Sequence, residues 1–514
     1  MLLSLAAMID TYIRKILNAR VYDVAEKTPL EKAPNLSDRI GSEIFLKRED
    51  LQPVFSFKLR GAYNKIAGLD EQARARGVVC SSAGNHAQGV ALAARRLGIR
   101  ATIVMPRTTP PIKVQAVRKL GGRAVLHGDA YDDAYEYARR LTRERGMTFV
   151  HPYDDPEVIA GQGTVAMELL QQHSGALDAV FIPVGGGGLL AGMASYIKYV
   201  RPEIRIIGVE PDDAASMTEA LRRHRRVRLK QVGLFTDGVA VRQAGKEPFR
   251  VARETVDDMV TVSTDEVCAA IRDIYEDTRS IAEPAGALAT AGAKRYLADR
   301  AITGWRVAAV IGGANMNFDR LRHVAERTEL GEHREALLAV TIPERPGSFL
   351  HFCRDISKRT ITEFNYRYAD AAQAHVFAGV KLEDGVREKD ELVASLRGAG
   401  YTVVDMAGNE MAKLHIRYMV GGHAPLLENE RVYRFEFPER PGALLRFLTR
   451  IGRDWNISLF HYRNHGADFG RALVGMQIPS ADLPRFREKI DKLGYGYADE
   501  TDNPAYDLFL SPGK

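Results

Sequence analysis

The sequence predicts an α/β region over residues 1–325 followed by two copies of a small α+β unit, and two observations carry that prediction. Residues from about 43 to 320 alternate short β-branched runs with amphipathic stretches, which is how strands and their covering helices are written. The last third repeats itself: Pro343-Glu344-Arg345-Pro346-Gly347 recurs 95 residues later as Pro438-Glu439-Arg440-Pro441-Gly442.

Taken in order, the amino end is apolar as far as Met8 but has no basic leader, and Asp10, Arg14 and Lys15 interrupt it too early for a bilayer span, so neither a signal peptide nor a membrane segment is expected. Strands are expected at Val78 to Ser81, Ala101 to Met105, Ala179 to Val184, Arg205 to Glu210 and Arg306 to Ile311, with a helix from Asn85 to Leu97. Each strand runs into a glycine-rich or polar turn, where an open α/β sheet places its ligand-binding loops. A polar neck is expected at 326–335, a first repeat at 336–410, a connector at 411–430 and a second repeat at 431–514. The repeats also match at Phe364-x-Tyr366-Arg367 against Phe460-x-Tyr462-Arg463, and at Gly400-Tyr401 against Gly494-Tyr495. Each copy reads as a strand (Leu338 to Ile342; Tyr433 to Phe437), a Pro-Gly turn, a helix (Ser348 to Ser357; Ala443 to Arg453), two strands near Tyr366 or Tyr462 and a second helix, a βαββαβ order.

With 514 residues, 45% hydrophobic and 27% charged, the chain excludes a disulfide-stapled miniprotein and a disordered one. The net charge of +6 is dilute over that length and does not argue for nucleic acid. Its one basic run, Arg222 to Lys230, lacks the interleaved aromatics of a strand-binding surface. Cys80, Cys268 and Cys353 have neither zinc nor redox spacing, which fits a reducing cytoplasm.

Three segments bear chemistry. In Ser56-Phe57-Lys58-Leu59-Arg60-Gly61-Ala62, Ser56 as helix cap would set Lys58 in a first turn whose field lowers an amine's pKa; a surface lysine opening a helix is the alternative. In Ser82-Ala83-Gly84-Asn85-His86, a strand-to-helix turn offers backbone N–H groups and the Ser82 and Asn85 side chains to a carboxylate; an ordinary helix cap is the alternative. Gly185-Gly186-Gly187-Gly188-Leu189 opens a helix after an apolar strand and suits a phosphate. Gly186-x-Gly188-x-x-Ala191 with Glu210 also fits a dinucleotide fingerprint, leaving a nicotinamide dehydrogenase open.

Those segments, followed by Glu283-Pro284-Ala285-Gly286 and Gly313-Ala314-Asn315, resemble in order and spacing the fold-type II pyridoxal-phosphate enzymes, tryptophan synthase β-like in fold, of the serine/threonine dehydratase group. The doubled carboxy-terminal unit resembles the paired ACT-like regulatory domains of the biosynthetic threonine dehydratases, and the likeness covers nearly the whole chain. The resemblance implies that Lys58 carries pyridoxal 5'-phosphate as a Schiff base, with Asn85 at the ring hydroxyl, Gly185, Gly186, Gly187, Gly188 and Leu189 at the phosphate, Phe57 beside the ring and Glu283 supporting it. Ser82, Ala83, Gly84, Asn85 and His86 are then the substrate loop, for L-threonine converted to 2-oxobutanoate and ammonia. Alanine at 83, where related serine racemases carry a second serine, favours elimination over racemisation. Gly312 stands where the family usually has the serine that meets the pyridine nitrogen. Feedback by isoleucine opposed by valine, a homotetramer, and an effector region at Tyr366, Arg367, Tyr462 and Arg463 complete what is implied. Elimination from other serine-like substrates and a non-catalytic amino-acid sensor are the remaining alternatives.

Overall fold

The computed structural model describes residues 2–511 apart from 234, 319, 332–333, 357–358, 370–371, 415, 420, 439–442, 452–453 and 464–468. The chain forms two units, Met1–Gly331 and Glu332–Lys514.

In the first unit the strands are β1 (Leu30–Lys32), β2 (Glu43–Arg48), β3 (Val78–Ser81), β4 (Ala101–Met105), β5 (Arg123–Leu126), β6 (Thr148–Phe149), β7 (Ala179–Pro183), β8 (Arg205–Pro211), β9 (Asp258–Val262) and β10 (Arg306–Ile311). They make a six-stranded sheet in the order β1-β2-β10-β7-β8-β9 and a four-stranded sheet in the order β5-β4-β3-β6. All pairings are parallel except β1 with β2. Parallel strands are covered on both faces, which is why β7 is buried along its whole length and reads Ala-Val-Phe-Ile-Pro without alternation. Its Ala179 and Phe181 face one apolar core, while Val180 and Ile182 face the other.

The first part of the expected helical or extended neck at 326–335 is the end of the helix Arg320–Gly331, which belongs to the first unit. Arg327 is buried there against Asp265 at 2.8 Å, and Thr328 donates to Val324 O and Cys268 O. The next strand has already begun at Glu335.

The second unit holds β11 (Glu335–Pro343), β12 (Ile361–Arg367), β13 (Gln373–Lys381), β14 (Thr402–Asp405), β15 (Glu430–Pro438), β16 (Asn456–Arg463), β17 (Phe469–Gln477) and β18 (Gly496–Asp499). These form one antiparallel sheet, β14-β11-β13-β12-β16-β17-β15-β18, so the two βαββαβ repeats are joined edge to edge through β12 and β16. In that seam Phe364 faces Tyr462 and Tyr366 faces Phe460, the matched residues of the two copies crossing over. Both copies carry a register shift at corresponding places, Ile361/Glu363 and Ile457/Leu459. The first helices of the repeats run over Ser348–Asp355, two residues shorter than expected, and Ala443–Ile451, as far as the described residues go. Ser357, Arg453 and the second copy's Glu439 to Gly442 lie outside the described residues.

Each repeat also has a closing helix on the opposite face of the sheet, Glu410–Leu414 in the first and Pro504–Phe509 in the second. The expected end of the first repeat at 410 falls short of its helix and leaves 411–418 to the connector, whereas the second repeat, expected over 431–514, includes its own. Asn409 begins one and Asn503 the other, 94 residues apart.

Candidate active site

Lys58 opens the helix Lys58–Ala67, but Ser56 does not cap it. The preceding Phe57 already has helical backbone angles, and the Ser56 hydroxyl is buried without a hydrogen-bond partner. Ser56 instead lies extended against Gly313, flanked by Ala314 N to Phe55 O at 2.9 Å and Phe57 N to Gly312 O at 3.3 Å. This short pairing carries Lys58 next to the loop after β10. Phe55 turns the chain into it from the left-handed region, φ 54°, a strained conformation for an aromatic residue.

The Lys58 amine donates to Pro152 O at 3.2 Å and lies 5.2 Å from the centre of the Phe57 ring. Desolvation pulls its pKa down to about 8, with Glu283 acting the other way. Lys58 is therefore no ordinary surface lysine: its neutral amine is accessible near physiological pH.

Asn85, at the start of the helix Asn85–Arg96, gathers two distant segments. Its Nδ2 donates to Glu283 Oε1 at 2.5 Å, and its Oδ1 accepts from Asn315 Nδ2 at 2.7 Å. Asn315 Nδ2 also donates to Val54 O at 2.8 Å. Burial raises the Glu283 carboxyl to about 7, against the opposing hydrogen bond from Asn85. The Ser82 hydroxyl accepts from Gly84 N at 3.3 Å, and Ala83 and Gly84 complete that part-buried turn. His86 points into the protein, its Nε2 donating to Val150 O at 2.9 Å. Burial, then the Lys58 charge, push its pKa down to about 3, so the ring is neutral and its buried Nδ1 is an unpartnered acceptor.

The glycine loop follows β7 and opens the helix Gly188–Val200. Gly187 sits at φ 93°, where a side chain is strained, and a Cβ on Gly186 would fall 2.1 Å from the Tyr153 ring. The first N–H groups of a helix have no intrahelical acceptor, so this end is built for an anion. Leu189 is buried in the core beside the strand, leaving its backbone on that turn. Lysine amine, helix-end amides, Asn85 and the buried acid together fit pyridoxal phosphate. A Cβ at Gly312 would meet the Phe57 ring and Pro183 at 3.5–3.6 Å, ordinary contact, so space does not dictate glycine there.

Glu210 closes the dinucleotide alternative. Its buried carboxylate accepts from Met217 N at 2.8 Å and from Thr218 N and Oγ1, each at 2.7 Å, leaving nothing for a ribose.

Two contributors were not visible in the sequence. The run His151-Pro152-Tyr153-Asp154-Asp155 supplies the carbonyl for Lys58 and the ring over Gly186. His151 Nδ1 accepts from the N–H groups of Tyr153 and Asp154, while Asp154 and Asp155 accept from the first turns of the helices at Lys246 and Pro156. Its Pro and Asp residues signal turns and helix caps, but nothing in them signals chemistry. The second is Asp237-Gly238-Val239: Gly238 lies against Ala285 and Glu283, and Asp237 pairs with Lys113 at 2.8 Å from the side of the four-stranded sheet.

In the second unit, strand geometry divides the expected effector residues between two faces of the sheet. Neighbours on a strand face opposite ways. Tyr366 is buried on the face carrying the repeat helices, with Phe349 at 4.8 Å and its hydroxyl on Glu344. Arg367 faces the reverse side, where its guanidinium meets Glu430 at 2.5 and 3.1 Å as well as Gly422 O, Ser458 O and Leu510 O. Tyr462 is buried opposite Phe364; the Arg463 side chain lies outside the described residues.

Residues 21–313 match the pyridoxal-phosphate-dependent enzyme family, and residues 326–416 and 422–510 match the C-terminal regulatory domain of threonine dehydratase. The chain belongs to the threonine dehydratase family. Among its relatives, the biosynthetic L-threonine dehydratase of Burkholderia multivorans is 56% identical over 97% of this chain and 99% of its own length. That of Escherichia coli is 54% identical over 97% of both. The processed form of threonine deaminase isoform 2 from Solanum lycopersicum superposes on 63% of the chain and 89% of its own, with 49% identity and a TM-score of 0.62. As a threonine dehydratase relative, the chain is a fold-type II pyridoxal-phosphate enzyme with two C-terminal regulatory repeats.

Proposed function

We propose that the chain is a threonine ammonia-lyase, converting L-threonine to 2-oxobutanoate and ammonia in isoleucine biosynthesis, and that its repeats take isoleucine, with valine opposing, as the feedback effector. The observation that carries the reading is the meeting of Lys58, Asn85, Glu283 and the Gly185–Gly188 loop at one site. Bound through Lys58, pyridoxal phosphate supplies an electron sink for the pair left behind when the substrate's α-proton departs.

The chain's own groups supply the rest. Gly187, Gly188 and Leu189 offer their N–H groups to the phosphate, with the helix dipole behind them. Ser82 and the turn to Asn85 hold the substrate carboxylate. The Lys58 amine, once displaced by the substrate's amine, takes the α-proton, a role suited to an amine with a pKa near 8. Loss of the β-hydroxyl as water gives an enamine whose imine tautomer takes up one water to release 2-oxobutanoate and ammonia, so the net reaction balances. Tyr153 and Phe57 shield the site from bulk water, which strengthens each polar contact inside it.

The repeats support a regulatory reading because the seam residues of one copy reach into the other. A homotetramer and a cytoplasmic setting complete the proposal. The three cysteines are buried free thiols, and among the described residues no helix is long and apolar enough to cross a membrane. The deciding measurement is 2-oxobutanoate release from L-threonine by the pyridoxal-phosphate-loaded protein, with and without L-isoleucine. Release suppressed by isoleucine is expected; no release with cofactor bound rejects the lyase.

A further inference from the structure

Two residues beyond Lys58, on the same helix, Arg60 is fully buried and its guanidinium is saturated. It bonds Glu49 through Nε and Nη2 at 2.8 and 2.9 Å, and Glu168 through Nη1 and Nη2 at 2.7 and 3.1 Å. Thr164 Oγ1 accepts the second Nη1 N–H and Glu26 O shares the Nη2 hydrogens with the two carboxylates, each at 3.1 Å. Lys47, also fully buried, donates to Glu168 Oε2 at 2.7 Å and Thr28 O at 2.6 Å. Two cations thus balance two anions. Removing four charges from water is costly, and an apolar core of equal volume is often no less stable. What the quartet adds is geometry: it ties the Lys58 helix to β2 and to the helix Pro156–Gln172.

We propose that Arg60 is a positioning residue for Lys58: through the quartet it fixes the helix that aims the Lys58 amine at Pro152 and the glycine loop. Two observations support this. No side chain caps the helix start; the backbone pairing of Ser56 with Gly313 holds the chain before it, and the rotation of the helix itself is left to what its own side chains are tied to. Gly161 also lies against Arg60 O, where a Cβ would come within 2.7 Å, so the two helices touch through their backbones and turning one disturbs the four-charge set. The inference rests on Lys58 being the reacting amine.

The test is the pH dependence of Lys58 acylation in the cofactor-free full chain, followed by mass spectrometry. The titratable groups facing Lys58 are Glu283, His86 and His151, none of them in the quartet. A moved midpoint therefore reports a moved amine. Arg60→Lys keeps the charge and loses the fork; its midpoint is expected to rise by about one unit toward the ordinary lysine range as water reaches the amine. Tyr22→Phe removes only an outer hydrogen bond to Glu168 and is expected to shift the midpoint less, in the same direction. An unchanged midpoint in Arg60→Lys with native near-ultraviolet dichroism overturns the proposal. If that variant does not fold, an unchanged midpoint in Tyr22→Phe overturns it. Borohydride trapping of pyridoxal phosphate on a different lysine in the unaltered protein is a separate failure, of the site reading itself.

Discussion

Buried charge is arranged differently in the two units. In the first, Lys47, Glu49, Arg60 and Glu168 form one neutral cluster beneath a single helix. In the second, the buried acids stand apart: Glu335 and Glu363 meet Arg417, which follows the closing helix of their own repeat, and Glu430 of the second repeat meets Arg367 of the first. A cluster under one helix controls where that helix points. A pair across a seam controls whether two domains stay together. Disturbing the first should change chemistry with the repeats intact; disturbing the second should change regulation with chemistry intact.

Four experiments break or sharpen that contrast. Lys58→Ala is expected to lower threonine turnover by roughly 10³-fold or more, since it removes both the attachment point and the proton acceptor, while isoleucine binding measured by calorimetry persists. Loss of isoleucine binding in that variant would contradict the separation. Arg367→Leu leaves Glu430 buried without its cation, a change worth about 3–5 kcal/mol in related cases. The second unit's thermal transition should drop and isoleucine inhibition should vanish, with uninhibited turnover kept.

Gly186→Ala drives a methyl into the Tyr153 ring, an overpacking of about 1–3 kcal/mol that fluorescence titration should read as a five- to hundredfold weaker cofactor. Lys113→Ala removes a partly exposed pair with Asp237, worth at most about 1 kcal/mol. It should raise KM slightly at low ionic strength and leave it unchanged in high salt.

The pH response follows from the site's shifted groups, Lys58 and Glu283 foremost. Lys58 is protonated below about 8 in the folded chain, so the rate of cofactor capture by the apoprotein should climb up to that pH and level off above it. Glu283 is raised to about 7, so the folded chain holds its proton where the unfolded chain has lost it. Its contribution to apoprotein stability is present in acid and is lost as pH rises through about 7. The difference between the unaltered chain and Glu283→Gln in a denaturation series between pH 5 and 8 checks the direction, since His86, held down to about 3, acts in the opposite sense over that range.

Local grammar made the sheet-and-helix order of the first unit legible, along with the doubling of the second. The βαββαβ reading of each copy agrees with the observed element order. Lys58, Asn85 and the four glycines were legible because each sits in a turn whose composition has a chemical reason. The Asn85–Asn315 and Asn85–Glu283 bonds join residues 230 and 198 positions apart, and no local pattern encodes such a meeting. The Ser56 cap failed because pairing with Gly313 claimed the backbone before the helix began. That Tyr366 and Arg367 take opposite faces of β12 was legible in principle, since adjacent strand residues diverge.

Joining β12 to β16 also decides which strands of the eight-stranded sheet face water along their sides. Only β14 and β18 remain at the margins, four residues each, ending in Asp405 and Asp499. Short, acidic margins resist pairing with strangers. A lone repeat would present the seven residues of β12, with Phe364 and Tyr366 among them, as an open template. Removing either copy would therefore expose the other's seam strand to pairing with its own kind, a constraint on the pair that is separate from regulation.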